Sequence, residues 1–315
     1  MRAFILALLG VVALIGDATA QVVLENPRIR ATIGDDAVWG SLVDKSTGKD
    51  YCAADKGVVF SSVRVDGKTY RASRLSRVGD RLSIGFSGCD TELVYAVSTT
   101  DDWIAFHLSE VAGTRPSHVT LVSVPVTIPE RRGPRLGAAW NDTYAVCLRG
   151  ASLRTHGSLT SRKDHTLLAA TTQDFPGPKL EGAGAVLIGS PSNELTAVLR
   201  RLSVACDLVR NEGAGGGASK YLPRARQSYW FLGFSESEVD RVIDCCRRTG
   251  FRQVMLNSSS WCKSVGHFTF HENRYPDGIE SLRRTVARLH EHGILVGMHT
   301  FASKISKTDA YVTPV

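Results

Sequence analysis

Between residue 21 and about residue 200, apolar and polar side chains alternate in short runs. Among them are RIRATI, VWGSLVD, VFSSVRVDG, RLSIGF, ELVYAVS, WIAFHLS, HVTLVSVPVTI, TYAVCLR, LLAATT and AVLIG. A period of two places one apolar face on each run, as a half-buried strand requires. Turn residues divide the runs, for example Gly34-Asp35-Asp36, Ser46-Thr47-Gly48, Asp66-Gly67 and Gly79-Asp80. Many short strands at close spacing predict an antiparallel sandwich or barrel, and we read this part as a β-sandwich.

The rhythm changes beyond residue 200. SNELTAVLR (192–200) predicts a connecting helix that runs on to about Val204. The glycine-rich stretch Asn211 to Ser219 lacks the Gly-Lys-Ser/Thr ending of a phosphate-binding loop, and no buried strand precedes it. Its small residues read as a linker. From Ser228 the strands SYWFLGF, FRQVMLN and ILVGMHT alternate with two amphipathic helices. Ser235 and Glu238 have the spacing of a capping box before the first helix. Its apolar face is Val239, Val242, Ile243 and Cys246, and Gly250 is placed to end it. Asp277 is the expected N-cap of the second helix. Ile279, Leu282, Val286 and Leu289 are its expected inward face, and Gly293 closes it.

Strand–helix–strand alternation predicts a parallel sheet. The predicted fold class is therefore multidomain β plus α/β: an antiparallel β-supersandwich, then the first β-α-β-α-β units of an incomplete (β/α)₈ barrel. A closed barrel needs roughly 250 residues, so the chain is expected to stop inside one. The expected boundaries are 1–20 for a signal peptide, 21–205 for the sandwich, 206–227 for a linker and 228–315 for the partial barrel.

The start of the chain predicts export. Arg2 supplies a positive charge, Ala3 to Gly16 an apolar core, and Ala18-Thr19-Ala20 a small-x-small cleavage site. The apolar run falls short of the roughly 20 residues of a spanning helix. Cleavage after Ala20 would give a secreted or periplasmic protein with no membrane span. The net charge is +7, but the basic residues are scattered, as in Arg71, Arg74 and Arg77, Arg131 and Arg132, and Arg247 and Arg248. A nucleic-acid surface would gather them on one face, so no nucleic-acid partner is expected. Seven cysteines without a CxxC pair disfavour a zinc knuckle or thioredoxin-type site.

Candidate chemistry sits just after each parallel strand. The second strand leads into Asn257, Ser258, Ser259, Ser260 and Trp261, then a long loop carrying His267, Phe268, Phe270 and His271. The third leads into His299, Thr300 and Phe301. A flat aromatic suits the apolar face of a sugar, and His and Asn suit its hydroxyls. The same aromatics would equally serve to pack the loop onto the sheet. The substrate-binding candidates are Asn257, Ser259, Trp261, His267 and His299. His267, His271 and His299 lack metal-ligand spacing, so no metal and no cofactor is expected. No strand end in 228–315 supplies Asp or Glu, and Asp309 is expected in an extended tail, away from any catalytic position. No catalytic residue is assigned.

The stretches GFRQVMLNSSSW, GHF and YPDGIESLRRTVARLHEHGILVGMHT resemble the early barrel of melibiase-type α-galactosidases and their relatives. LENPRIRATIGDDAVWGSLVDKSTGKDY is similar to the opening of a galactose-mutarotase-like β-supersandwich. The resemblance implies that the complete parent is an exported retaining α-glycosidase acting on carbohydrate through two carboxylates, and that this chain, which lacks them, is inactive alone. That family ends its second strand with paired acids, where this chain has Asn257, Ser258 and Ser259. The family's catalytic aspartates come from later strands, so none is carried over. Two other functions fit the residues: a non-catalytic carbohydrate-binding sandwich and a structural envelope protein.

Overall fold

The computed structural model describes residues 21–174, 179–208, 222–223, 225 and 227–312. The predicted signal peptide and cleavage site and the glycine-rich linker at 211–219 lie outside the described residues. The chain divides into two compact units, Met1–Val209 and Arg210–Val315.

The first unit opens with three antiparallel strands, β1 (Gln21–Glu25), β2 (Ile29–Gly34) and β3 (Trp39–Asp44). Twelve more follow. They are β4 (Ser62–Val65), β5 (Lys68–Val78), β6 (Arg81–Phe86), β7 (Glu92–Thr99), β8 (Ile104–Ala112) and β9 (His118–Val126). Then come β10 (Arg131–Gly133), β11 (Ala138–Trp140), β12 (Tyr144–Gly150), β13 (His156–Ser161), β14 (Thr166–Gln173) and β15 (Gly184–Pro191). All twelve belong to one antiparallel sheet, ordered β10-β11-β12-β15-β8-β7-β6-β5-β4-β9-β14-β13. The sheet curls until β12 packs against β13 and β14.

This corrects the expected supersandwich. β5 joins what alternation alone reads as two layers, since Lys68–Arg71 pair with β4 and Ala72–Val78 with β6. A register shift between Ala72 and Arg74 bends the strand at the changeover. The inner side encloses one core. Phe60, fully buried, lies 5.9 Å from the Trp39 ring, 5.4 Å from Phe106 and 6.4 Å from Tyr95.

β15 is buried at every position but its last. Its outer face is covered by α1 (Leu195–Ala205), where Leu195, Val198 and Leu202 meet Ala145, Cys147, Val186 and Ile188. Burial on both faces explains why AVLIG reads as a continuous apolar run. Asp102 anchors α1 through Arg201, at 2.6 and 2.8 Å, and these donors hold its carboxyl below the usual carboxylate range.

The second unit contains β16 (Trp230–Leu232), α2 (Val239–Thr249), β17 (Gln253–Leu256), α3 (Ser258–Trp261), α4 (Ile279–Glu291) and β18 (Leu295–Met298). The strands pair in parallel, in the order β16-β17-β18. The capping box is formed: the Ser235 N–H donates to Glu238 Oε2 at 2.8 Å. Gly250 closes α2 at φ 80°, its N–H donating to the Cys246 carbonyl. Val242, Ile243 and Cys246 of α2 and Leu282 and Leu289 of α4 cluster with Val254 and Leu256. The opposite face holds Phe231, paired with Met255 and 47% exposed.

The second correction concerns the barrel. Among the described residues there is no (β/α)₈ barrel, complete or partial; there is a three-stranded sheet with β16 and β18 as open edges. The strand and helix periods specify parallel pairing and the buried helix face. Closure into a ring depends on strand tilt and stagger around all its members, which these runs do not encode. A smaller correction applies to α4. Gly278 is its N-cap, and the Asp277 carboxylate instead takes Arg284 Nη2 at 2.6 Å. Ile279 is 48% exposed, while Ser281 and Thr285 are buried.

Candidate functional site

The second unit concentrates its polar chemistry past the C-terminal ends of β17 and β18. Asn257 follows β17 and caps the four-residue α3: its Oδ1 accepts from the Ser259 N–H and Oγ, both at 3.2 Å. Asn257 and Ser259 therefore bond chiefly to each other. Ser258 is buried, and its Oγ lies 3.4 Å from His299 Nδ1. The His299 ring sits edge-on to Phe231 and Phe301, at 5.5 and 4.9 Å.

Trp261 ends α3 and is buried at 5% exposure. Its Nε1 donates to the His299 carbonyl at 3.4 Å, tying the β17 end to the β18 end. From Trp261 to His271 the chain makes a hairpin, closed by a bridge between Cys262 and Phe270 and by the His271 N–H donating to the Trp261 carbonyl. Phe268, near its tip, has φ 50°. An aromatic residue in the left-handed region is strained and persists only where its surroundings hold it. Here Phe268 stacks on Trp261, with ring centres 5.7 Å apart, and Phe270 lies 5.6 Å from the same indole. Both uses foreseen for the loop aromatics thus concern one cluster, with Trp261 at its centre.

The hairpin is stitched to residues 306–311. Ser306 N–H donates to the Val265 carbonyl at 2.7 Å, and the Val265 N–H to Ser306 Oγ at 2.9 Å. Asp309, with a side chain 3% exposed, accepts from the His267 N–H at 2.9 Å, from His267 Nδ1 at 2.7 Å and from the Tyr311 N–H at 3.1 Å. The backbone donors of His267 and Tyr311, then the imidazole, hold its carboxyl below the usual range. Gly266 makes this approach possible. Its φ is 132°, and a Cβ there would fall 2.4 Å from the Asp309 carboxylate. The His267 ring stacks on Tyr311 with centres 4.0 Å apart. Asp309 is therefore a buried hydrogen-bonding hub, not a residue of an extended tail.

These pieces surround a groove of about 630 Å³ with a largely apolar lining. Trp261, Phe268, Phe270, Met298, Phe301 and Tyr311 contribute apolar surface, and His267, Thr300 and Lys304 contribute polar groups. Of the five predicted residues, Trp261 and His267 line it. His299 stands behind it, against Phe301, and Asn257 and Ser259 are outside it. Tyr311, Lys304 and the Asp309 hub escaped the sequence reading because no period links them to the hairpin. The first unit offers a contrasting groove of about 470 Å³, lined by Asp35, Asp36, Arg74 and Glu92 among others, with no aromatic side chain.

No cluster of three or more metal-ligating side chains occurs among the described residues. None of the seven cysteines is in a disulfide. Burial pushes the Cys262 thiol up, which keeps it protonated and unreactive. No described helix is long and apolar enough to cross a membrane.

No family model matches the sequence. No curated protein matches it either. Solved structures do match its fold. The α-N-acetylgalactosaminidase NagBb of Bifidobacterium bifidum, in complex with GalNAc, superposes with a TM-score of 0.58 at 10% identity, over 89% of this chain and 58% of that one. The ligand-free form gives 0.56 at 11% identity, over 92% and 61%, and a quadruple mutant 0.57 at 9%, over 89% and 59%. This chain thus spans about three-fifths of the length of those enzymes, and the likeness is one of fold.

Proposed function

We propose that this protein recognises carbohydrate, and that a saccharide ring lies in the aromatic groove of the second unit. The observation that carries the reading is the groove itself: Trp261, Phe268, Phe301 and Tyr311 beside His267, Thr300 and Lys304, with Lys304 Nζ 5.5 Å from the centre of the Phe301 ring. Apolar ring faces complement the C–H face of a sugar, and a few placed polar groups orient its hydroxyls. Its fold likeness to a glycosidase supports the same ligand class. Export through residues 1–20 belongs to the proposal.

Binding is favoured over bond cleavage for the described residues. A glycosidase places two carboxyl groups about 5–5.5 Å or 6.5–9.5 Å apart across the scissile bond. Among the described residues the lining of this groove includes no carboxylate, and Asp309 is committed to His267 and the backbone. Glycoside hydrolysis is the second reading, favoured by the fold alone.

Calorimetric titration of the full chain with hexose and N-acetylhexosamine oligosaccharides tests the proposal. Binding that weakens about fivefold in Phe301→Ala, the loss of one stacked ring, is the expected result. Unchanged affinity in that variant would move the site elsewhere. Release of nitrophenol from nitrophenyl glycosides would establish hydrolysis.

A further inference from the structure

Asp309 and His267 are 42 residues apart in sequence yet share two hydrogen bonds, one through the ring and one through the backbone. An ionised carboxylate can only accept, so the Nδ1 facing it carries a hydrogen. In the neutral ring Nε2 is then a bare acceptor, and it makes no hydrogen bond among the described residues. Asp309 lies behind the ring, nearly closed off from solvent, while His267 is half exposed and lines the groove. The ring is also clamped face-to-face by Tyr311 at 17° between planes, so it is fixed in both rotation and tautomer. Lys304, the charged side chain of the lining, is a donor only and cannot supply an acceptor. Thr300 can do either.

We infer that Asp309 is a positioning residue that holds His267 as its Nδ1–H tautomer, so that Nε2 accepts a hydrogen bond from a hydroxyl of the bound saccharide. The inference rests on the carbohydrate reading of the groove and assigns His267 one role within it. A hydroxyl at the edge of a saccharide held against the aromatic lining donates to Nε2, while Lys304 and Thr300 remain to donate to ring and hydroxyl oxygens. The ligand favoured is one with a free hydroxyl at this edge. A saccharide methylated there loses the contact and meets the ring nitrogen with a methyl group.

Nitrogen-15 spectra of the His267 imidazole in the full chain, recorded across a pH series, read the protonation pattern of both ring nitrogens before any ligand is added. The expected spectrum of the neutral ring has hydrogen on Nδ1 and a bare Nε2, with the Nε2 signal shifting when oligosaccharide is added. His267→Phe keeps the stack on Tyr311 and removes the acceptor; it should bind about tenfold more weakly. Asp309→Asn should mix the tautomers, a signature that loosened packing alone would not give. Hydrogen on Nε2 of the neutral ring in the native chain, or native affinity in His267→Phe, overturns the inference while leaving saccharide binding in place. A native chain that binds none of the oligosaccharides overturns the carbohydrate reading and the acceptor role together.

Discussion

The first unit buries apolar side chains on the inside of a curled twelve-stranded sheet and covers part of the outside with α1. The second unit covers one face of three parallel strands with α2 and α4, and leaves Phe231 exposed on the other. The difference is also one of chemistry. Polar residues of the first unit form turns and surface ion pairs, such as Asp44 with Ser46 and Thr47 or Arg115 with Asp174 and Glu181. In the second unit they converge past the strand ends, where an aromatic hairpin is tied down by a buried carboxylate. A filled core specifies a scaffold; a partly covered sheet with an anchored loop leaves room for a ligand.

The sharpest way to break this comparison is to empty the larger core. Phe60→Ala removes the ring that touches Trp39, Tyr95 and Phe106. It should cost about 3–5 kcal/mol in urea unfolding of the first unit. A loss below about 1 kcal/mol would mean that the sheet does not depend on a single filled interior.

A smaller effect is expected at the base of the candidate site. Tyr275 is fully buried and its hydroxyl donates to the Phe234 carbonyl at 2.8 Å, joining the hairpin's end to the β16 end. Tyr275→Phe should cost about 1 kcal/mol, and faster amide exchange should appear around Phe234 and residues 271–275. No change in exchange there would remove this link from the account.

The most local prediction concerns pH. The folded state holds Asp309 below its ordinary value of 3.8, chiefly through the backbone N–H groups of His267 and Tyr311. Its contribution to loop order is thus complete above that ordinary value and is lost as pH falls through the lowered one. Amide exchange at Val265 and His267 should become unprotected on that descent, ahead of the strands of the first unit. Protection that persists after the carboxylate is protonated would show that Ser306 alone holds the hairpin.

Much of the scaffold is legible from local pattern. All the alternating runs named from the sequence form strands, and the Ser235–Glu238 cap and the Gly250 stop appear as read. β5 escaped because KTYRASRLSRV buries only Ala72 and Leu75, which hides its period under four arginine and lysine side chains. That omission concealed the continuity of the twelve-stranded sheet. In the second unit, Trp261 and His267 were visible as chemistry-bearing types in a long loop. Asp309 was not, because its role depends on a contact across 42 residues and on the missing side chain of Gly266. Closure of a sheet and pairing of distant loops are tertiary facts that no local period carries.

The central claim is that carbohydrate is recognised in the second unit rather than on the sheet of the first. Nitrogen-15-labelled full chain, titrated with hexose and N-acetylhexosamine oligosaccharides, tests it most directly. The account predicts saturable shifts at the Trp261 indole N–H and at the amides of His267, Phe301 and Tyr311, with residues 21–205 unmoved. Shifts confined to residues 21–205 would contradict it and place the ligand on the sheet.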